Sequence, residues 1–179
     1  MVATEQPAPW ITAATAEIVP PAYTRRPTRR ARDLDLDVEE GARVTWRVTT
    51  NRRVDGVRLV GTGGVTLPFE PVGSAWTLRL PSATRSLVYH VELPEGDSAR
   101  TTSPDHRLAV RPDAEPVLAA VRPDQRTTVP HTGAMQVPVE VIARDDYGID
   151  SVMLAGTVTT GRGEGVKFRQ VALPFTRRT

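Results

Sequence analysis

The chain has 179 residues, with 23 Lys and Arg against 21 Asp and Glu, a formal net charge of +2, 39% hydrophobic and 25% charged residues. That length fits one large domain or two small ones, and the near-neutral balance gives no overall drive toward nucleic acid or an anionic membrane. The absence of cysteine excludes disulfides, iron–sulfur clusters and thiol catalysis.

Residues 1–13 read as a flexible N-terminal arm. The stretch "MVATEQPAPWITAATAEIVPP" has neither a basic start nor an apolar core, so no export signal is read in it. No apolar run approaches the roughly 18 residues that span a bilayer, so direct membrane insertion by this segment is not expected. "YTRRPTRRAR" (23–32) then packs five arginines into ten residues. "RDLDLDVEEG" alternates Asp33, Asp35 and Asp37 with Leu34, Leu36 and Val38, and "ARVTWRVTT" sets Val44, Trp46 and Val48 against Arg43, Thr45 and Arg47. "AWTLRLP" and "SLVYHVEL" continue the alternation through Trp76, Leu78, Leu80 and then Leu87, Tyr89, Val91, Leu93. Period two over several segments predicts half-buried antiparallel strands. "VGTGGVT" (60–66) and "TGRGEGV" (160–166) read as glycine-bearing hairpin loops.

A weak internal repeat divides the chain. "VTWRVTTNRRVDGVRLVG" (44–61) lines up with "VPVEVIARDDYGIDSVMLAG" (137–156) at an offset of 93 to 95 residues, the size of one immunoglobulin-like sandwich. The expected fold class is all-β: an immunoglobulin-like or fibronectin type III-like antiparallel β-sandwich, with one complete and one partial copy in tandem. The first copy is placed at 14–111, a proline-stiffened linker at 112–115, and a second, truncated copy at 116–179 with strands near 117–122, 135–144, 150–158 and 166–173. The chain is expected to end inside that second domain, which would leave its inner face and edges open.

"AEIVPPAYTRRP" (16–27), "VRPDQRTTVP" (121–130), "VEVIARDDYGIDSVML" (139–154) and "GEGVKFRQVALPF" (163–175) together resemble an uncharacterised family of large bacterial envelope proteins. In that family, membrane helices near the N-terminus precede tandem immunoglobulin-like domains and a long helical remainder. The resemblance implies architecture and location rather than an activity: an extracytoplasmic segment of a membrane-anchored parent protein.

Few residues suggest chemistry. Asp145 and Asp146 form an acidic pair that, with Asp150 and Glu164, is the calcium candidate of the chain. Adjacent strand residues point to opposite faces, so the pair reads better as the turn of a β-hairpin, with Asp capping backbone N–H groups and Gly148 supplying a permissive backbone. Asp33, Asp35 and Asp37 fail the EF-hand pattern, because the sixth and twelfth places hold Val38 and Val44; they read as the wet face of a strand. Arg25, Arg26, Arg29 and Arg30 are a possible interaction patch for an acidic partner, or a solvated loop that meets the Asp33–Asp37 strand. Trp10 and Tyr23 are the aromatic candidates for a sugar platform, since Trp46, Trp76 and Tyr89 share faces with Val and Leu. His90, His106 and His131 show no metal-ligand spacing. No nucleophile–base pair, phosphate loop or zinc-protease motif is present, so no enzyme and no cofactor are expected. The expected role is a non-catalytic spacer or docking module whose partners are proteins or other domains of the parent, with a homodimer by strand exchange as one form. The alternatives are a carbohydrate- or cell-wall-binding module and a calcium-stiffened adhesin-like repeat.

Overall fold

The computed structural model describes residues 7–95, 99–123, 128–130, 132 and 136–176. They form strands, short 3-10 turns and loops, with no α-helix among the described residues. Two compact units are present, Met1–Asp113 and Ala114–Thr179.

In the first unit, β1 (Ile11–Val19), β2 (Arg29–Ala31), β4 (Arg43–Thr50), β7 (Glu70–Val72) and β8 (Ala75–Leu80) form one sheet in the order β2-β1-β4-β8-β7. The other sheet contains β3 (Leu36–Glu39), β5 (Arg58–Gly61), β6 (Val65–Pro68), β9 (Leu87–Glu95) and β11 (His106–Arg111) in the order β3-β11-β9-β5-β6, with β10 (Ala99–Thr102) also on β9. The runs β1-β4-β8-β7 and β11-β9-β5 match the A-B-E-D and G-F-C orders of immunoglobulin-type sandwiches. The structure is consistent with that β-sandwich class. One pair departs from the expected antiparallel pattern: β3 runs parallel to β11, with Leu36 beside Leu108.

The core follows the period-two reading, although Trp76, Leu80 and Leu87 are only partly buried against it. Val44, Trp46 and Val48 from one sheet and Tyr89, Val91 and Leu93 from the other are buried, together with Leu34, Leu36 and Val38. Trp46 and Tyr89 meet edge to face at 6.0 Å, and the Trp46 Nε1–H donates to the Tyr89 hydroxyl at 2.9 Å. The buried indole and phenol thus satisfy each other while joining the two layers.

The N-terminal arm is shorter than expected. β1 starts at Ile11 rather than near Ala14, and Pro9 is buried. Trp10 and Asn51 tie the segment before it to the loop after β4. The Trp10 N–H donates to Asn51 Oδ1 at 2.8 Å, and the Asn51 N–H donates to the Trp10 carbonyl at 3.1 Å. Residues 1–6 lie outside the described residues.

The second unit has two two-stranded sheets: β12 (Val117–Arg122) with β13 (Glu140–Arg144), and β14 (Met153–Thr160) with β15 (Lys167–Pro174). The Asp145–Gly148 stretch is therefore not a hairpin turn. It links β13 to β14, which belong to different sheets. Its counterpart, 51–57, likewise carries the chain from β4 in one sheet to β5 in the other. Both units then make a true hairpin through a 3-10 turn, Thr62–Gly64 in the first and Gly163–Gly165 in the second. Gly161 enters the second hairpin at φ +102°, where a Cβ would lie 2.3 Å from the Gly165 carbonyl oxygen, so only glycine fits.

None of the described residues of the second unit is fully buried. Val139, Val141, Ala143, Tyr147 and Ile149 are half-covered on one face, while Leu118, Phe168 and Leu173 are exposed. Among the described residues, no helix is long and apolar enough to cross a membrane.

Candidate functional site

The densest arrangement of chemistry-bearing groups sits at the start of the parallel β3–β11 pair. Burial of Leu34 and Leu36 turns Asp33 and Asp35 outward. In register with Leu108 beside Leu36, β11 begins at His106, next to those carboxylates. Asp33 Oδ1 accepts the backbone N–H groups of Leu34 at 2.6 Å and Asp35 at 3.1 Å. Asp35 Oδ1 accepts the Arg107 N–H at 2.7 Å, and its Oδ2 lies 3.3 Å from His106 Nδ1. One ligand atom from each of Asp33, Asp35 and His106 falls within 4.8 Å of the others. The Arg107 N–H, followed by the His106 contact, holds the Asp35 carboxyl below the usual aspartate range.

A buried polar chain lies behind this cluster. The Tyr89 hydroxyl donates to the Leu34 carbonyl and accepts from Trp46, and the Tyr89 ring lies 5.9 Å from that of His106. Burial pushes the phenol well above its ordinary value. The backbone between Asp33 and Asp35 is thereby pinned to the core, and the imidazole packs against the aromatic ring.

The arginine patch has a structural destination. Glu39 is fully buried, and Arg26 Nη1 and Arg29 Nη1 each donate to its carboxylate at 2.9 Å. Arg111 Nη2 stands 3.7 Å away. Arg29 also donates to the Asp37 carbonyl at 2.6 Å, and Arg111 Nε to the Asp37 carboxylate at 2.8 Å. Arg30 pairs with Glu17 across β1–β2 at 3.0 Å. Arg25 occupies the left-handed cap of the 3-10 turn Ala22–Thr24, at φ 54°. Burial alone would raise the Glu39 pKa; its own backbone N–H, then Arg29 and Arg26, outweigh that and hold it below the ordinary value. Arg26 and Arg29 thus meet the strand that follows, as the loop reading expects, and Arg30 makes a surface pair with Glu17 of β1. The anchoring carboxylate is Glu39, not the Asp33–Asp37 row.

A second charged group lies on the outward face of β9. Glu92 takes Arg58 at 3.1 Å and Arg100 at 3.3 Å, and His90 stands 3.7 Å from Glu92 and 3.6 Å from Asp105. Beside it is an open depression of about 250 Å³ lined by Asp55, Gly56, Arg58, Glu92, Pro94 and Arg100. Its two arginines pair with Glu92, and its lining holds no nucleophile–base pair.

The other sequence-predicted residues are dispersed. Trp10 and Tyr23 are each about half exposed, at 52% and 50%. Asp145 Oδ2 accepts the Tyr147 N–H at 3.1 Å, and Gly148 has φ +91°, the local turn expected for this stretch. Asp145, Asp146 and Asp150 are not among the residues whose ligand atoms come together; among the described residues that group is Asp33, Asp35 and His106.

The histidines require a correction. Spacing along the chain gave them no partners, yet His106 meets Asp35 across 71 residues and His90 lies between two carboxylates. His131 lies outside the described residues. Such pairings are set by strand order, which local spacing does not encode. The available signal was the parity of "DLDLDV", which placed Asp33 and Asp35 on one outward face without naming what stands beside it. No family model and no curated protein matches the chain.

Proposed function

We infer that this chain is a non-catalytic structural or interaction module, a spacer or docking region in the extracytoplasmic part of a membrane-anchored bacterial envelope protein. The observation that carries the reading is the contrast in closure between the units. The first unit wraps a core inside two sheets, whereas the described strands of the second pair only two by two, with exposed Leu118, Ile142, Phe168 and Leu173. Open strand edges pair with other strands, and exposed apolar faces seek cover. Proteins supply both, in the form of further domains of the parent or a second copy by strand exchange. The matched crossings at 51–57 and 145–152, each followed by a glycine-rich hairpin, support the second unit as a repeat of the first.

Retention on peptidoglycan and on a glycan array separates this reading from a wall-binding module. The module reading expects no retention of the purified chain. Retention that disappears in Trp10→Ala or Tyr23→Ala would establish the sugar-binding reading in its place.

A further inference from the structure

We propose that Asp33, Asp35 and His106 form a binding site for a divalent transition-metal ion of the zinc type, which staples the segment before β3 to the first residue of β11. The site goes beyond the interaction role above and does not depend on it.

The donor set is mixed, with one imidazole nitrogen and two carboxylate oxygens, drawn from segments 71 residues apart. Tetrahedral zinc with bonds of about 2.0–2.1 Å sets its ligand atoms about 3.3 Å apart. His106 Nδ1 and Asp35 Oδ2 already stand at 3.3 Å, and one ligand atom from each of the three residues lies within 4.8 Å of the others. Small side-chain rotations close the remaining gap, because the Asp33 and Asp35 carboxylates are exposed. The imidazole is held in place: its side chain is only 15% exposed and it packs against Tyr89. Asp33 and Asp35 each anchor Oδ1 on backbone N–H groups; Asp35 Oδ2 faces His106 Nδ1, and an ion seated between those two atoms would replace their contact.

Local charge points to a cation independently of this geometry. The neighbouring acids Glu17, Asp37 and Glu39 all receive guanidinium groups. Arg32 and Arg107 adjoin the cluster in sequence, yet among the described residues no arginine comes within ion-pair distance of Asp33 or Asp35. Two carboxylates therefore stand beside one imidazole, in a chain whose basic residues outnumber its acidic ones. The imidazole donor and the small number of ligands disfavour calcium and magnesium, which take six or more oxygens, and suit zinc, cobalt or nickel. Three protein ligands leave a position for water.

The test titrates the purified full chain with zinc chloride in a non-coordinating buffer and follows the three histidine rings by long-range 1H–15N NMR. One equivalent of zinc is expected to shift His106 and leave His90 and His131 in place, and calcium chloride at the same concentration is expected to shift none. By calorimetry, Asp33→Asn and His106→Gln are each expected to weaken zinc at least tenfold. Asp33 is exposed, so its variant carries the test if His106→Gln fails to fold. Equal shifts at all three histidines, unchanged affinity in Asp33→Asn, displacement of zinc by equimolar calcium, or no binding at millimolar zinc would each overturn the site.

Discussion

The two units use the same local code and reach different states. In the first, alternating Val44, Trp46 and Val48 face Tyr89, Val91 and Leu93 of an opposing sheet, and all are buried. In the second, alternating Val139, Val141 and Ala143 stay half-covered, and the described strands form sheets of two. Alternation decides which face a side chain takes; the number of strands opposite decides whether that face is dry. A hairpin is marginal by itself, and two of them do not supply the apolar burial that offsets the entropy of ordering the chain.

The largest effect is expected from removing the centre of the closed unit. Trp46→Ala leaves a cavity between the sheets and orphans the Tyr89 hydroxyl as an acceptor. It is expected to cost about 3–5 kcal/mol and to abolish or strongly shift the cooperative urea transition followed by circular dichroism. A loss under about 1 kcal/mol would mean that the first unit's core does not govern its stability.

A smaller effect is expected at Glu39, whose carboxylate gathers arginines from the segment before β2, from β2 and from β11. Glu39→Gln keeps the shape and removes the charge. The arginines it faces are a third to a half exposed and regain water, so the expected cost at pH 7 is about 2 kcal/mol, within the range for charged hydrogen bonds. The folded-state pKa of Glu39 lies below the ordinary 4.5. Its contribution is therefore complete above that ordinary value and is lost as pH falls through the lower folded value. Urea titrations of the two proteins should differ by a constant amount from pH 7 to 5 and draw together as the pH falls below the ordinary 4.5 toward the lower folded value. Convergence on raising the pH instead would contradict the assigned direction.

How much of this was legible depended on whether a feature was local. Trp46, Tyr89 and the Val–Leu rows were readable because a strand's faces follow from parity alone. The glycine loops at 60–66 and 160–166 were readable because a positive φ selects glycine. The start of β1 is hidden because "ITAATAEIV" holds mostly small residues and breaks alternation at Ala13–Ala14. Glu39 was hidden because it breaks parity: Val38 and Glu39 are both buried at the strand's end, and a carboxylate is read as exposed until the arginines that meet it are placed. The Asp35–His106 contact and the parallel β3–β11 pair depend on sheet order across about seventy residues, which no window of sequence carries. The 145–152 connection looked like a hairpin because its residues are turn-formers. Whether such a turn folds a strand back within its sheet or sends it to another is settled by the partners, not by the turn.

The smallest expected effect is also the most direct measure of the difference between the units. Leu154 pairs with Leu173 on the face of the β14–β15 hairpin that also carries Val171, and it is only half-covered. Leu59 is 1% exposed in the first unit. Leu59→Ala removes buried methyl groups from a packed layer and is expected to cost about 3 kcal/mol. Leu154→Ala removes surface that water already reaches and is expected to cost less than about 0.5 kcal/mol in dilute solution. Equal costs at low concentration would mean that the second unit is closed in solution by contacts its own strands do not make. A Leu154→Ala cost that grows with protein concentration would identify the cover as a second copy, because only association makes stability depend on concentration.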